Sequence, residues 1–273
     1  MPNSPRSGPA PRKALGQHFL RDQFILHRIV EALRTPQGLV VEIGPGTGEL
    51  TAVLLEAGHE VIAVEVEERM VRHLERRFAG ESRLRLVTAD ARTFDLAEVL
   101  DRGRPYAVAG NLPYFAANPI VRHILESAHK PTEMVIMVQR EVAKEMAAKP
   151  GDSSLLAISV QVYAEPERLF DVPPEAFDPP PHVHSSVIRL ALREPPLVPA
   201  ALLEPFFELV SKTFRNPRKQ IHNYLGRGVW LPPEGAGRAL ALAGIDPMRR
   251  AETLVIPEWL ALLAACEEVR RHG

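Results

Sequence analysis

Leu39-Val40-Val41-Glu42-Ile43-Gly44-Pro45-Gly46-Thr47-Gly48 joins an apolar, β-branched run directly to a cluster of alternating glycines. Such a run reads as a buried strand, and glycines behind it let the backbone turn sharply into a helix whose free N–H groups can receive a carboxylate or a phosphate. The spacing is G-x-G-x-G rather than G-x-G-x-x-G, and no Gly-Lys-Ser/Thr follows, so the dinucleotide fingerprint and the P-loop both fit poorly. Working outward, further short apolar runs at 60–64, 84–87, 106–109 and 133–138 alternate with amphipathic stretches at 22–33, 49–57, 67–78, 96–100, 119–127 and 141–148. This alternation predicts an α/β domain with a mostly parallel sheet. Two more strands are expected at 155–163 and 186–192.

Arg193-Glu194-Pro195-Pro196-Leu197-Val198-Pro199 ends that pattern, because prolines this dense fit neither a helix interior nor a central strand. Beyond it only helices are expected, at 200–213, 217–225, 237–243 and 257–269, which divides the chain into an α/β domain, 1–194, and a small helical domain, 195–273. A length of 273 residues with 45% hydrophobic and 25% charged residues suits a globular protein with a sizeable core. No apolar run approaches the roughly 20 residues of a membrane span, and Met1 to Lys13 has no signal-like apolar segment, so a cytoplasmic protein is expected. The single cysteine, Cys266, excludes an internal disulfide and a cysteine-cluster zinc site, and no histidine spacing suggests a metal.

The formal net charge is only -1, yet cations are grouped. Ser211 to Leu231 holds Lys212, Arg215, Arg218, Lys219 and Arg227 without a carboxylate, and the first residues carry Arg6, Arg12, Lys13, Arg21 and Arg28 against Asp22. On the expected helix after Pro217, Lys219 and His222 share a flank opposite Ile221 and Leu225, a basic face over an apolar anchor that suits phosphate contact.

Glu65 closes the second strand about 20 residues after the glycines, where a carboxylate can accept from both ribose hydroxyls of a nucleoside. Asp90 closes the third strand and can accept from an exocyclic adenine amine. Either acid alone is as well explained as a helix cap or loop acid, but a turn, a ribose ligand and a base ligand at three successive strand ends form a nucleoside site. Glu42, inside the first strand, is expected to brace the glycine loop by accepting backbone N–H bonds.

Asn111-Leu112-Pro113-Tyr114 follows the fourth strand. The Asn111 side-chain oxygen and the Leu112 carbonyl, turned outward by Pro113, can accept the two N–H bonds of a planar amine, and Tyr114 offers a stacking face. The two strand ends together read as methyl transfer to an adenine-type nitrogen.

Four motifs occur in a characteristic order: Gly16-Gln17-His18-Phe19-Leu20, Glu42-Ile43-Gly44-Pro45-Gly46-Thr47-Gly48, Asn111-Leu112-Pro113-Tyr114 and Phe177-Asp178-Pro179-Pro180-Pro181-His182-Val183-His184-Ser185. With Phe214 to Asn223 as a basic motif, the chain resembles the ribosomal RNA adenine N6,N6-dimethyltransferases, in their bacterial KsgA (RsmA) branch. The resemblance spans nearly the whole chain. It implies a Rossmann-like class I methyltransferase domain with a helical C-terminal RNA-binding domain. It implies S-adenosyl-L-methionine held by His18, Leu20, Gly44, Gly46, Glu65, Asp90 and Asn111, and catalysis by Asn111, Leu112, Pro113, Tyr114 and Phe177, with the last two aromatics sandwiching the target adenine. RNA contact falls to Arg215, Arg218, Lys219 and His222. The implied substrate is a pair of adjacent adenosines in the 3′-terminal hairpin of small-subunit (16S) rRNA within a pre-30S particle. No feature of the sequence demands a dimer, and a monomer is expected. Large-subunit rRNA methyltransferases of the macrolide-resistance type, and non-catalytic assembly factors on the same fold, are the rival readings. The chain departs from the family pattern at His18, where many relatives have Asn, at Phe115-Ala116-Ala117 in place of a more polar triplet, and at Pro217, which interrupts a double arginine.

Overall fold

The computed structural model describes residue 9 and residues 17–35, 37–101, 103–215, 220–225, 231 and 234–272, without the side chains of 224 and 272. Its elements run β1 (Phe19–Leu20), α1 (Gln23–Glu31), β2 (Leu39–Ile43), α2 (Glu49–Glu56), β3 (Glu60–Glu65), α3 (Glu68–Arg77), β4 (Leu84–Thr88), β5 (Tyr106–Asn111), α4 (Ala117–Glu126), β6 (Glu133–Gln139), α5 (Arg140–Met146), α6 (Leu155–Gln161), β7 (Ala164–Val172), β8 (Phe177–Asp178), β9 (Ser185–Leu192), α7 (Leu203–Thr213), α8 (Ile221–Leu225), α9 (Gly235–Leu242) and α10 (Ile256–His272).

The chain divides into two compact units. One takes the chain up to Ala143 together with Glu165–Leu192; the other takes Lys144–Ala164 and the chain from Arg193. The break at 192/193 falls just before the expected boundary at 194/195. Lys144–Ala164, however, belongs with the helical unit and not with the sheet.

The first unit is built on a seven-stranded sheet in the order β4-β3-β2-β5-β6-β9-β7. Strands β4, β3, β2, β5 and β6 pair in parallel and β9 runs antiparallel to β6. From β2 the chain winds outward through β3 and β4, and from β5 in the opposite sense through β6. The seam between β2 and β5 is therefore the switch point at whose carboxyl edge ligands of open α/β sheets bind. Both faces are covered: Val40, Ala107 and Ala109 pack with Leu26, Ile29 and Leu54 of the first two helices, while the alternate residues Leu39, Val41, Ile43, Tyr106 and Val108 are equally buried. At the seam a side chain on Gly110 would place its Cβ 2.5 Å from the Ile43 carbonyl oxygen, so only glycine lets these strands approach.

Two expectations fail here. The stretch 155–163 is helix α6, not a strand: the Ser154 hydroxyl accepts from the Ala157 N–H and caps it, and Ala157, Ile158 and Val160 are buried. An unbroken apolar run does not distinguish strand from helix, and the cap was the deciding signal. The strand comes immediately afterwards as β7. The expected helix at 96–100 is a single 3₁₀ turn, Leu96–Glu98, capped by Asp95.

In the helical unit Trp259, Phe206 and Cys266 are buried, and Ile221 and Leu225 are the inward residues of α8, as their spacing predicts. Burial pushes the Cys266 thiol up to about 11, which keeps it unreactive.

Candidate active site

The glycine loop leaves β2 with Gly44 and Gly46 in the left-handed region (φ +67° and +56°) and enters α2 through Gly48. Its position is fixed from below, where the Gly44 N–H donates to the Val64 carbonyl, and from the side, where the Gly46 N–H donates to Glu65 Oε2 at 3.3 Å. Glu65 Oε1 accepts from the Glu67 N–H at 2.9 Å, so the carboxylate at the end of β3 is oriented by two backbone donors, one on each oxygen. Burial raises its pKa, and these two N–H groups pull it back.

A strap, residues 17–22, crosses the same loop. Its short strand β1 pairs antiparallel with β8, Leu20 opposite Phe177, and the Phe19 ring lies where a Cβ on Gly46 would sit, 2.9 Å from its Cε1. Arg21 closes the strap onto Glu49 Oε1 at 2.6 Å, and Arg77 grips the same carboxylate through Oε1 at 2.9 Å and Oε2 at 3.2 Å. Farther up, Gln17 donates to Glu67, and Arg69 bonds both.

Asn111, the last residue of β5, donates from Nδ2 to the His18 carbonyl at 3.0 Å. That bond fixes the amide, and its Oδ1 accepts nothing among the described residues. The Leu112 N–H is committed to the Met137 carbonyl and the Pro113 carbonyl to Ala116, which leaves the Leu112 carbonyl free among the described residues. Tyr114 is half-buried and its hydroxyl pairs with Ser185 Oγ at 2.8 Å; burial raises its pKa, so the phenol stays neutral. Its ring stacks with His18, centroids 6.1 Å apart, and the His18 Nδ1 pairs with the Pro179 carbonyl at 2.7 Å.

These groups line one cleft of about 150 Å³: Gln17, His18, Gly44, Gly46, Glu65, Asp90, Asn111, Leu112, Pro113, Tyr114 and Phe177 all border it. Leu20 does not; its side chain is buried and borders a small adjoining hollow with Glu42 and Leu50. Phe177 is 5% exposed and forms wall rather than an open face.

Asp90 differs from expectation in its surroundings. Arg92 occupies both oxygens, through its own backbone N–H, Nε and a terminal nitrogen at 2.6–3.0 Å, and holds the carboxyl below its usual pKa. For Asp90 to accept an amine, Arg92 must yield at least one of these bonds. Glu42 also differs: it accepts from the Thr51 hydroxyl of α2 at 2.6 Å and, among the described residues, from no glycine-loop N–H, and burial is the main reason its pKa is pushed up to about 7.

Gln17, Phe19, Arg92 and Phe115 also border the cleft, though the sequence alone does not mark them as site residues. Gln17 and Phe19 lie inside a quoted motif, and Arg92 follows Asp90 at a spacing that only the fold reveals as a clamp. Of the basic candidates, Arg215 and His222 are exposed, while Arg218 and Lys219 lie outside the described residues.

The sequence model of the family described as "Ribosomal RNA adenine dimethylase" matches residues 10–265. Curated proteins named "Ribosomal RNA small subunit methyltransferase A" are similar: that of Dehalococcoides mccartyi (strain BAV1) is 39% identical, over 92% of this chain and 87% of its own. Those of Desulfitobacterium hafniense (strain DCB-2) and Laribacter hongkongensis are each 41% identical, covering 95% and 96% of this chain and 94% and 96% of theirs. Among solved structures, the 23S rRNA methyltransferase ErmE superposes with a TM-score of 0.71 at 28% identity, over 91% of this chain and 99% of that one. A dimethyladenosine transferase from Plasmodium falciparum gives 0.79 at 24% identity, over 93% and 98%, a likeness of fold. The fold is thus the Rossmann-like class I methyltransferase fold, and the chain belongs to the ribosomal RNA adenine dimethylase family.

Proposed function

We propose that this protein dimethylates the N6 amines of two adjacent adenosines in the 3′-terminal hairpin of small-subunit (16S) rRNA, with S-adenosyl-L-methionine as methyl donor. The observation that carries the reading is the Asn111 amide: tied through Nδ2 to the strap carbonyl of His18, it presents a bare oxygen beside the glycine loop at the switch point of the sheet.

The residues fit the donor. A side chain at Gly46 would collide with Phe19, so the loop keeps a bare backbone there, and Glu65 is a buried, pre-oriented acceptor one strand away. Gly44, Gly46, Glu65 and His18 of the strap would hold the donor, with Leu20 anchoring the strap from beneath and Asp90 receiving the adenine of the donor once Arg92 yields. When bound, S-adenosyl-L-methionine supplies a methyl group made electrophilic by its sulfonium sulfur.

Asn111 Oδ1 and the Leu112 carbonyl accept the two N6–H bonds of the target adenine, which turns the nitrogen lone pair out of conjugation with the ring and toward the donor side of the cleft. Pro113 fixes the turn that leaves the Leu112 carbonyl without a bond among the described residues. Tyr114, kept neutral and anchored on Ser185, gives the base a stacking face, and Phe177 backs it. The proton leaving N6 passes to water, because the methylated amine is acidic enough to need no dedicated base. After the first transfer one N6–H remains, enough for one of the two acceptors to hold the amine for the second. The adenine must be unpaired to reach the cleft.

Arg215, Arg218, Lys219 and His222 of the helical unit supply phosphate contacts. The protein works as a monomer in the cytoplasm on a pre-30S particle. Large-subunit RNA is the second reading, suggested by the ErmE likeness; identity of 39–41% to small-subunit methyltransferases, against 28% to ErmE, favours the first. Asn111→Ala tests the central residue: donor binding measured by calorimetry persists, while kcat falls by about 100-fold or more. Retained turnover would remove Asn111 from the mechanism.

A further inference from the structure

Phe115 follows Tyr114 directly, yet the two rings live differently. Tyr114 is half-buried and bonded, and Phe177 is almost wholly buried, whereas Phe115 is 61% exposed while bordering the same cleft. No ring or cation stacks on it among the described residues. Its backbone is not loose: the Ala116 N–H closes a turn onto the Pro113 carbonyl, Ala116 and Ala117 are buried at 4% and 1%, and α4 begins at Ala117. A rigid turn thus holds a large, uncovered aromatic face at the cleft mouth, next to the amine-holding pair Asn111 and Leu112. A lone exposed aromatic on a protein surface needs no explanation. One fixed by a buried turn at the rim of a base-binding cleft does, because single-stranded nucleotides are held by stacking on such faces.

We propose that Phe115 is the platform for the base adjacent to the flipped adenine, so that one adenosine of the pair occupies the cleft while its neighbour stacks on this ring. The proposal rests on the rRNA reading above and deepens it. Stacking here replaces the stacking that the flipped pair loses in the RNA and sets the register of the dinucleotide. Phe115 is therefore a positioning residue for the second adenosine rather than a group that touches the reacting atoms. Arg92, its side chain half exposed, borders the same cleft.

The test compares the unsubstituted protein with Phe115→Ala and Phe115→Tyr on unmethylated small ribosomal subunits. Readouts are KM for the subunit, kcat, the dissociation constant of S-adenosyl-L-methionine, the thermal midpoint, and the methylation state of each adenosine by mass spectrometry. Phe115→Ala raises KM about ten-fold and leaves a product in which one adenosine lags. Its donor affinity and thermal midpoint stay unchanged, and Phe115→Tyr restores both KM and the product ratio. An unchanged KM and product ratio in Phe115→Ala would overturn the platform. So would parallel losses of donor affinity and thermal midpoint, which would make the ring a structural element, or a Tyr variant as impaired as Ala. Absence of transfer by the unsubstituted protein on any rRNA would instead count against the rRNA reading, and this proposal would fall with it.

Discussion

Asn111 has two ends with two jobs in the proposed reaction: Nδ2 is bonded to the protein, and Oδ1 is left for the substrate. That division is visible only because the strap carbonyl of His18 stands 3.0 Å away. Glu42 shows the opposite situation, a carboxyl with no substrate to meet, 1% exposed and satisfied on one oxygen by Thr51. Its pKa is raised from the usual 4.5 to about 7, first by burial and in part by the Glu65 charge. The group therefore favours the folded state fully below its unfolded pKa, and this contribution is lost as pH rises toward about 7. A shift of this size is worth on the order of 3 kcal/mol. Glu42→Gln keeps an acceptor for Thr51 and should be more stable than the unsubstituted protein at pH 8, by up to about 3 kcal/mol, with the gain shrinking toward pH 5. Urea unfolding at both pH values measures it, and a pH-independent difference would mean that Glu42 titrates normally. Residue types at strand ends are legible in the sequence, which is why it points to Glu65 and Asn111, and both border the cleft. What each side chain bonds was not, because Thr51 and Arg92 find Glu42 and Asp90 only once helix and loop have been placed.

At the scale of elements, the site is a junction of three short segments, the strap 17–22, the glycine loop and the turn after β5. Gly46 is where two of them touch. Gly46→Ala would face both a positive φ of 56° and a Cβ 2.9 Å from the Phe19 ring. It should push the strap off the loop, weaken binding of S-adenosyl-L-methionine by about ten-fold or more, and cost about 1–2 kcal/mol of stability. Calorimetry and thermal unfolding measure the two effects, and unchanged donor affinity would separate the strap from the donor site. The parallel strands of the sheet were readable because each is a short, largely apolar run bounded by turn residues. Strands β1 and β8 were not, since two residues carry no period, and their pairing depends on a partner more than 150 positions away in sequence. Helix α6 was misread for a related reason: seven mostly apolar residues fit either period, and only the Ser154 cap distinguishes them.

At the scale of the whole molecule, a net charge of -1 conceals a sheet unit that carries the cleft and a helical unit that carries the basic run. The proline cluster lies beside the break at 192/193, whereas nothing local in the sequence marks Lys144–Ala164 as part of the helical unit. That segment lies between sheet strands in sequence, and local pattern says nothing of which core claims it. The proposed function gives the two units separate tasks, the target amine to one and RNA phosphates to the other. The most direct test supplies labelled S-adenosyl-L-methionine with unmethylated small subunits, large subunits and naked 16S rRNA in parallel, followed by mapping of the modified base. The account predicts N6,N6-dimethyladenosine at two adjacent positions in the 3′-terminal hairpin of the small-subunit RNA and none in the large subunit. Label confined to large-subunit RNA, or no transfer despite measurable binding of the donor, would contradict it.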